Sequence, residues 1–365
     1  MLSFLTHIES FTIISQLEFT LIADVQMFHR LAMVIVHSKR HIIGLVIAST
    51  AVSSLLFVYY TAKFNHLAGT TKTEAENGED VFADWPPIST VTAANVVFPA
   101  SFDYRNETFN CTTVVLDDIE FPVCHYTAEA DDTVSGLLLR GIYFEEDEVK
   151  RFLRLLRLDR QLQMVDIGAN VGMYSLPAAR LTKVLAVEPN WHSMARLAKA
   201  VDLGESSSNI TLVHNAVSDV RATFNMGVHP SNQGNAFLIR TRKCKGTPTN
   251  KPCYTLSPIR AIFLNDLLPL MRSKSALMKI DVEGHEAIIF TDSSAGQFFD
   301  QIDVPLVLME WNLCKRHPAY LVQRLLDFFY SRNYAVFDME NSKLQGHYLV
   351  WPENVLFKKL TYLRF

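Results

Sequence analysis

The chain has 365 residues, and 34 Lys and Arg against 38 Asp and Glu leave a formal net charge of −4. That length exceeds one ordinary domain, and an acidic balance without a basic cluster argues against a nucleic-acid partner.

Residues 1–41 read as a cytosolic tail, whose apolar run from Phe11 to Ala23 is broken by Gln16 and Glu18. Ile42 to Ala62 is an uncharged run of about the length that spans a bilayer, with Lys39 and Arg40 before it and Lys63 after it. Too many residues precede it for the charged region of a signal peptide, and no persuasive small-residue cleavage site follows. The segment 42–62 therefore predicts one uncleaved transmembrane signal anchor and a single-pass type II protein. Residues 63–93 turn polar and reach Pro86-Pro87, as a stem linker would. A short pre-domain is expected over 94–141 and the main domain over 142–365.

Three sequons, at Asn106, Asn110 and Asn209, are meaningful only if the part after the anchor faces a lumen. Cys111 and Cys124 are near neighbours in sequence, as are Cys244 and Cys253, leaving Cys314 single. Two short-loop disulfides in an oxidising compartment are expected. Zinc is the alternative, but the spacings are wide and no histidine pair accompanies them. These features predict that the part after the anchor lies in the lumen of the Golgi or the endoplasmic reticulum.

A helix is predicted from an acidic first turn, Glu145 to Glu148, with Val149, Phe152, Leu153 and Leu156 on one face. Short apolar strands follow at 162–167, 184–188, 210–214, 276–281 and 304–310. Between them, Met194, Leu197, Ala198 and Val201 form a helical stripe stopped by Gly204, and Tyr320 to Tyr330 forms an apolar-faced helix. Such alternation implies an α/β fold with a doubly wound, mostly parallel sheet. The pattern lapses between Asp219 and Leu264. There Asn232-Gln233-Gly234-Asn235 and the stretch from Lys243 to Pro258 read as a β-hairpin excursion over the crevice, and a loop of that length is more often functional than idle.

The first of these strands ends in Val165-Asp166-Ile167-Gly168-Ala169-Asn170-Val171-Gly172-Met173-Tyr174-Ser175, and the next ends in Val187-Glu188-Pro189-Asn190. This is the start of a nucleoside-binding βαβ unit: glycines where a Cβ would collide, then an acid at a strand end placed for the hydroxyls of a ribose. Asp166 selects among nucleosides. An aspartate in that turn would repel a pyrophosphate, whereas S-adenosylmethionine carries a sulfonium and an ammonium against one carboxylate and is attracted.

A third segment, Lys279-Ile280-Asp281-Val282-Glu283-Gly284-His285-Glu286, again ends an apolar strand in acids and breaks at a glycine before the apolar Ala287 to Phe290. Ligands in open α/β sheets bind beyond the carboxyl ends of the strands, so Asp281, Glu283 and His285 should face the crevice shared by Asp166 and Glu188. In this order the three segments resemble the FkbM family of S-adenosylmethionine-dependent methyltransferases, a likeness covering roughly Leu162 to Phe337. The resemblance implies a class I, Rossmann-like methyltransferase fold behind the N-terminal anchor. It also implies that Asp166, Gly168, Asn170 and Gly172 line the methionine part of the cofactor, Glu188 its ribose, and Asn215, Ala216 and Ser218 its adenine. The segment from Lys243 to Pro258 departs from the common pattern of the family.

Methyl transfer to a hydroxyl needs its proton removed, by a base or with the help of a metal. His285 or Asp281 is the expected base, with Glu283 orienting the acceptor or a cation; a Mg²⁺ held by Asp281 and Glu283 would suit hard oxygen ligands. Glu310 and Asn312, beside Trp311, and Gln233 in the excursion are further acceptor-side candidates. The expected acceptor is a glycan hydroxyl in the secretory pathway. The alternatives are a catalytically inactive binding or adaptor module on the same fold, and a methyltransferase for lipids or small metabolites.

Overall fold

The computed structural model describes residues 107–229, 231–239 and 254–362. The predicted anchor at 42–62, the tail, the stem, the Asn106 sequon and the Cys244 and Cys253 pair lie outside them. Among the described residues no helix is long and apolar enough to cross a membrane.

A hairpin of β1 (Asn110–Leu116) and β2 (Ile119–His125) comes first, with Cys111 and Cys124 directly opposite each other and joined by a disulfide. Helices α1 (Val134–Leu139) and α2 (Glu146–Leu158) follow. α2 buries Val149, Phe152, Leu153 and Leu156 and keeps Glu146, Asp147 and Glu148 in its first turn, where the helix dipole favours them. The sheet then begins: β3 (Leu162–Ile167), α3 (Ser175–Ala178), β4 (Val184–Val187), α4 (Trp191–Leu203) and β5 (Ile210–Val213). α4 is capped by Asn190, whose side chain accepts the His192 amide hydrogen at 3.1 Å, and ends at Gly204.

A second, four-stranded sheet has the order β6-β9-β7-β8, from β6 (Ala216–Val217), β7 (Thr223–His229), β8 (Asn232–Ile239) and β9 (Tyr254–Ile262). This is the predicted excursion. Within that hairpin the sequence sets no strand bounds, and Asn232 to Asn235 begin β8, because antiparallel pairing with β7 already starts at Asn232 opposite His229. The chain returns through a 3₁₀ turn (Leu264–Leu270) to β10 (Ser275–Ile280), α5 (Glu286–Ile289), α6 (Ser294–Gln301), β11 (Asp303–Glu310), α7 (Ala319–Tyr330), β12 (Tyr334–Phe337) and β13 (Asn354–Lys359).

The main sheet runs β12-β13-β11-β10-β3-β4-β5. β5, β4, β3, β10 and β11 are mutually parallel, while β13 is antiparallel to both neighbours, which makes the sheet mixed at one edge. Every residue of β3, β4 and β5 is buried, so these strands are mostly apolar, with Gln163, Asp166 and Thr211 as their buried polar exceptions. Alternate residues enter two separate cores. Met164, Ala186, Leu212, Leu277 and Leu308 meet α2 and α4 on one face; Val165, Leu185, Val213, Met278 and Val307 meet α6 and α7 on the other. Phe121, Val123 and Cys124 of β2 join the first of these cores beside Met194 and Leu197, so the hairpin packs onto the sheet's own helical layer.

Candidate active site

The carboxyl edge of the parallel strands carries a row of acids. Glu188 follows β4, Asp281 follows β10, and Glu310 ends β11. All three line one cavity of about 220 Å³, together with Gly168, Asn170, Asn215, Ala216 and Glu283. β8 borders it through Gly234 and Asn235, and Glu145, Tyr174 and Lys279 complete its polar wall.

The turn after β3 is set by close backbone approach. Gly168 has φ +87°, and a Cβ there would lie 1.7 Å from the carbonyl oxygen of Asp281. Asn170, also left-handed at φ +50°, donates its amide hydrogen to Glu188 Oε2 at 2.7 Å, and Asn190 donates to Glu188 Oε1 at 2.7 Å. Burial pushes the Glu188 carboxyl up to about 7, against the pull of those two donors. Each oxygen keeps a second acceptor direction. β8 closes over the turn at Gly234, where a Cβ would stand 2.9 Å from Asn170 Nδ2. Gly172 serves packing instead: a Cβ would strike the side chains of Leu197 and Leu176.

Asp166 does not line the cavity. It is buried on the α2–α4 face, accepts a hydrogen bond from Ser175 Oγ at 2.6 Å, and leaves Oδ1 without a partner. Burial raises its carboxyl above the ordinary carboxylate range. Its register partner on β10 is Lys279, a residue to which the motif reading assigned no role. Lys279 is buried, donates to Asp281 Oδ2 at 3.0 Å, and lies 5.2 Å from the ring centroid of Tyr174. Burial alone would pull this ammonium down, but Asp281, Asp166 and Glu145 together outweigh it and hold it above its usual value. A lone lysine inside the apolar strand Ser275–Ile280 was the signal that could have found it.

Glu145 is the other residue missed. Read from sequence as part of the helix's acidic first turn, it stands before α2 at φ +53° and accepts from Tyr174 Oη at 2.9 Å and from Asn354 Nδ2 at 2.8 Å. The acids Asp166, Asp281 and Glu145 thus stand around the Lys279 ammonium.

Several predicted residues lie elsewhere. His285 is buried behind the wall, its Nε2 bonded to Ser218 Oγ at 2.9 Å, and neither residue borders the cavity. Ser218 in turn donates to Asp219 at 3.0 Å. The reason is the short α5: the chain turns at Gly284, φ +88°, and the imidazole faces β6 and Phe224 rather than the strand ends. The side chains expected as base and beside adenine, His285 and Ser218, thus bond to each other away from the cavity. Gln233 accepts from Asn190 Nδ2 through its backbone carbonyl at 2.9 Å, and Asn312 lies off the cavity wall. Trp311 is core, its indole donating to the Tyr348 carbonyl at 2.9 Å. On the acceptor side, burial and the neighbouring acids push Glu310 up to about 9 and raise Glu283 well above its ordinary value. Asn209 is half-buried, donating to the Ala179 carbonyl and accepting from Lys183, whereas Asn110 is exposed. Cys314 is free and buried, as its lack of a sequence neighbour implied.

A seven-stranded mixed sheet in this order, with helices on both faces and acids at the carboxyl ends of β4, β10 and β11 around one cavity, is a doubly wound α/β fold. Within it, residues 166–336 match the model of the methyltransferase FkbM domain. No curated protein sequence matches the chain. Among solved structures, similarity is found to the methyltransferase FkbM of Methylobacillus flagellatus, at 14% identity over 54% of this chain and 43% of that one, with a TM-score of 0.33. The chain therefore spans less than half the length of that protein. The O-methyltransferase TomG of Streptomyces achromogenes, solved with S-adenosylmethionine, is 11% identical over 65% of this chain and 92% of its own, TM-score 0.35. A SAM-dependent O-methyltransferase of Thermotoga maritima is 7% identical over 67% and 76%, TM-score 0.32.

Proposed function

We propose that the chain is an S-adenosylmethionine-dependent O-methyltransferase. The carrying observation is the acid-rich cavity at the carboxyl edge, where Glu188, Asp281 and Glu145 line the wall, Asp166 is buried behind it, and Lys279 is the one Lys or Arg among the described lining residues. A ligand with a sulfonium and an ammonium against one carboxylate is a net cation and suits that field; a pyrophosphate does not. Glu188, with an acceptor direction left on each oxygen, would take the ribose hydroxyls, and Asn215 and Ala216 would border the base. Lys279 would pair the methionine carboxylate, and Glu145 with Asp281 the ammonium.

Bound there, the cofactor supplies a methyl carbon that exchanges its bond to sulfur for one to the acceptor oxygen, the sulfur keeping the electron pair. The chain's part is to hold the acceptor in line and receive its hydroxyl proton. With His285 turned away, that task falls to the carboxyl groups of the Asp281, Glu283 and Glu310 wall.

The proposed acceptor is a glycan hydroxyl in the Golgi or endoplasmic reticulum, reached by a type II protein anchored through 42–62. Supporting this reading are the uncharged run of that segment, the exposed sequon at Asn110, and the disulfide between Cys111 and Cys124. The test is to incubate the purified protein with methyl-labelled S-adenosylmethionine and released glycans and identify the product by mass. Label on lipid or small molecules alone would redirect the acceptor, and calorimetry showing no cofactor binding would leave an adaptor module. Resistance of the expressed protein to glycosidase shift would remove the lumenal placement.

A further inference from the structure

Beyond the donor side, three carboxyl groups meet at the far wall of the cavity. Asp281, Glu286 and Glu310 each bring an oxygen within 4.8 Å of the other two. They come from different elements: the end of β10, the start of α5 and the end of β11, two parallel neighbours and the turn that leaves one of them. Asp281 and Glu310 line the cavity, with Glu286 fully buried beside them.

Their hydrogen bonding is incomplete in a particular way. Glu286 Oε1 accepts the amide hydrogens of Val282 at 2.9 Å and Gly284 at 3.2 Å, which locks the carboxylate into its turn. Its Oε2 is buried with no hydrogen-bond partner, and so is Glu310 Oε2. A buried carboxylate oxygen without a donor is costly, and two of them beside a third acid are costlier still. Lys279 does not relieve this, since its ammonium is engaged by Asp281 Oδ2.

We propose that Asp281, Glu286 and Glu310 hold one divalent cation of the hard, oxygen-preferring class, Mg²⁺ or Mn²⁺. Ligand oxygens bound at about 2.1 Å to an octahedral cation stand roughly 3.0 to 4.2 Å apart, close to the separation of at most 4.8 Å among the three carboxyl oxygens. The donor set is entirely carboxylate, which selects against softer, nitrogen- and sulfur-seeking metals. The site differs from the pair expected from sequence: Glu286 and Glu310 take the place of Glu283.

Its chemical role rests on the methyltransferase reading. A cation between Asp281 and Glu310 would face the acceptor and make its hydroxyl more acidic. The proton would pass to Glu283, the carboxyl of that wall outside the triad, as the carbon–oxygen bond forms and the carbon–sulfur pair returns to sulfur.

The binding itself is testable without turnover. Mn²⁺ added to the full chain in detergent should lose its free-ion paramagnetic resonance signal up to about one ion per chain, and Mg²⁺ should restore it. Glu286→Gln and Glu310→Ala should each weaken Mn²⁺ binding at least tenfold, the second at a half-buried position that tolerates change if the first folds poorly. Glu188→Ala should bind Mn²⁺ like the parent while losing S-adenosylmethionine. No saturable Mn²⁺ binding by the parent, or binding unaltered in folded Glu286→Gln and Glu310→Ala, overturns the site. Mn²⁺ bound by a parent protein that takes no S-adenosylmethionine in calorimetry upholds the cation site and sinks the methyltransferase reading separately.

Discussion

Glu188 accepts the backbone amide hydrogen of Asn170 at 2.7 Å, tying the acid that ends the second parallel strand to the turn that leaves the first. Glu188→Gln replaces one acceptor oxygen with an amino group facing an N–H donor. S-adenosylmethionine affinity should fall at least tenfold in calorimetry, in line with the roughly 1.5–3 kcal/mol of a hydrogen bond to a charged group. Undiminished affinity in the folded variant would remove Glu188 from the ribose site.

The same carboxyl predicts a pH dependence of stability. Its folded value of about 7 lies above its ordinary value of 4.5, so the folded chain binds that proton more tightly than the unfolded one. Its contribution to stability is fully present below about pH 4.5 and is lost as pH rises to about 7. Denaturant titrations between those limits should show Glu188→Gln losing a decline on the order of 3 kcal/mol that the parent displays. Parallel curves for the two proteins would count against the raised value.

Two left-handed glycines should respond differently to alanine. At Gly168 the new Cβ would meet the Asp281 carbonyl at 1.7 Å, and the backbone of two core strands cannot part to admit it. At Gly141, φ +76°, nothing stands within 4 Å. Gly141→Ala should cost about 1–2 kcal/mol of unfolding free energy from backbone strain alone, while Gly168→Ala should fail to give a cooperative thermal transition. Equal effects would mean that conformation, not the close approach of β10, sets the requirement.

Lys279→Met removes the ammonium that Asp281, Asp166 and Glu145 share. Breaking a buried pair from one side leaves its partner uncompensated, at about 3–5 kcal/mol. A stability loss of that order is expected in urea unfolding, and raising the pH should enlarge it as the abandoned acids ionise. A variant as stable as the parent would show that these carboxyls are neutral in the folded state.

Asp281 and His285, four positions apart, should separate in function. His285→Asn alters a group bonded to Ser218 behind the wall and should leave methyl transfer within about twofold for the folded protein. Asp281→Asn alters the cavity itself and should lose transfer at least a hundredfold, with S-adenosylmethionine bound more weakly as well. The reverse ranking in a labelled-methyl assay would restore the histidine as base.

The strands Leu162–Ile167, Val184–Val187 and Ile210–Val213 are legible in sequence because each is buried on both faces and so is dominated by apolar residues. Gly168 and Glu188 are legible for a related reason: backbone approach and a strand-end acid are local requirements, written within a few residues of each strand. The antiparallel β13 and its neighbour β12 were not, since Asn354–Lys359 is short and takes its place only by pairing with β11, more than forty residues earlier.

The same division runs through the site. By itself the sequence determined which acids stand at strand ends, and hence that the crevice is negative. Only the tertiary structure decided which side chains face it. Register placed Lys279 opposite Asp166, a single turn at Gly284 sent His285 away from the cavity, and the convergence of three separate elements brought Asp281, Glu286 and Glu310 together. Such directions depend on backbone turns and partners far apart in the chain, and no local spacing encodes them.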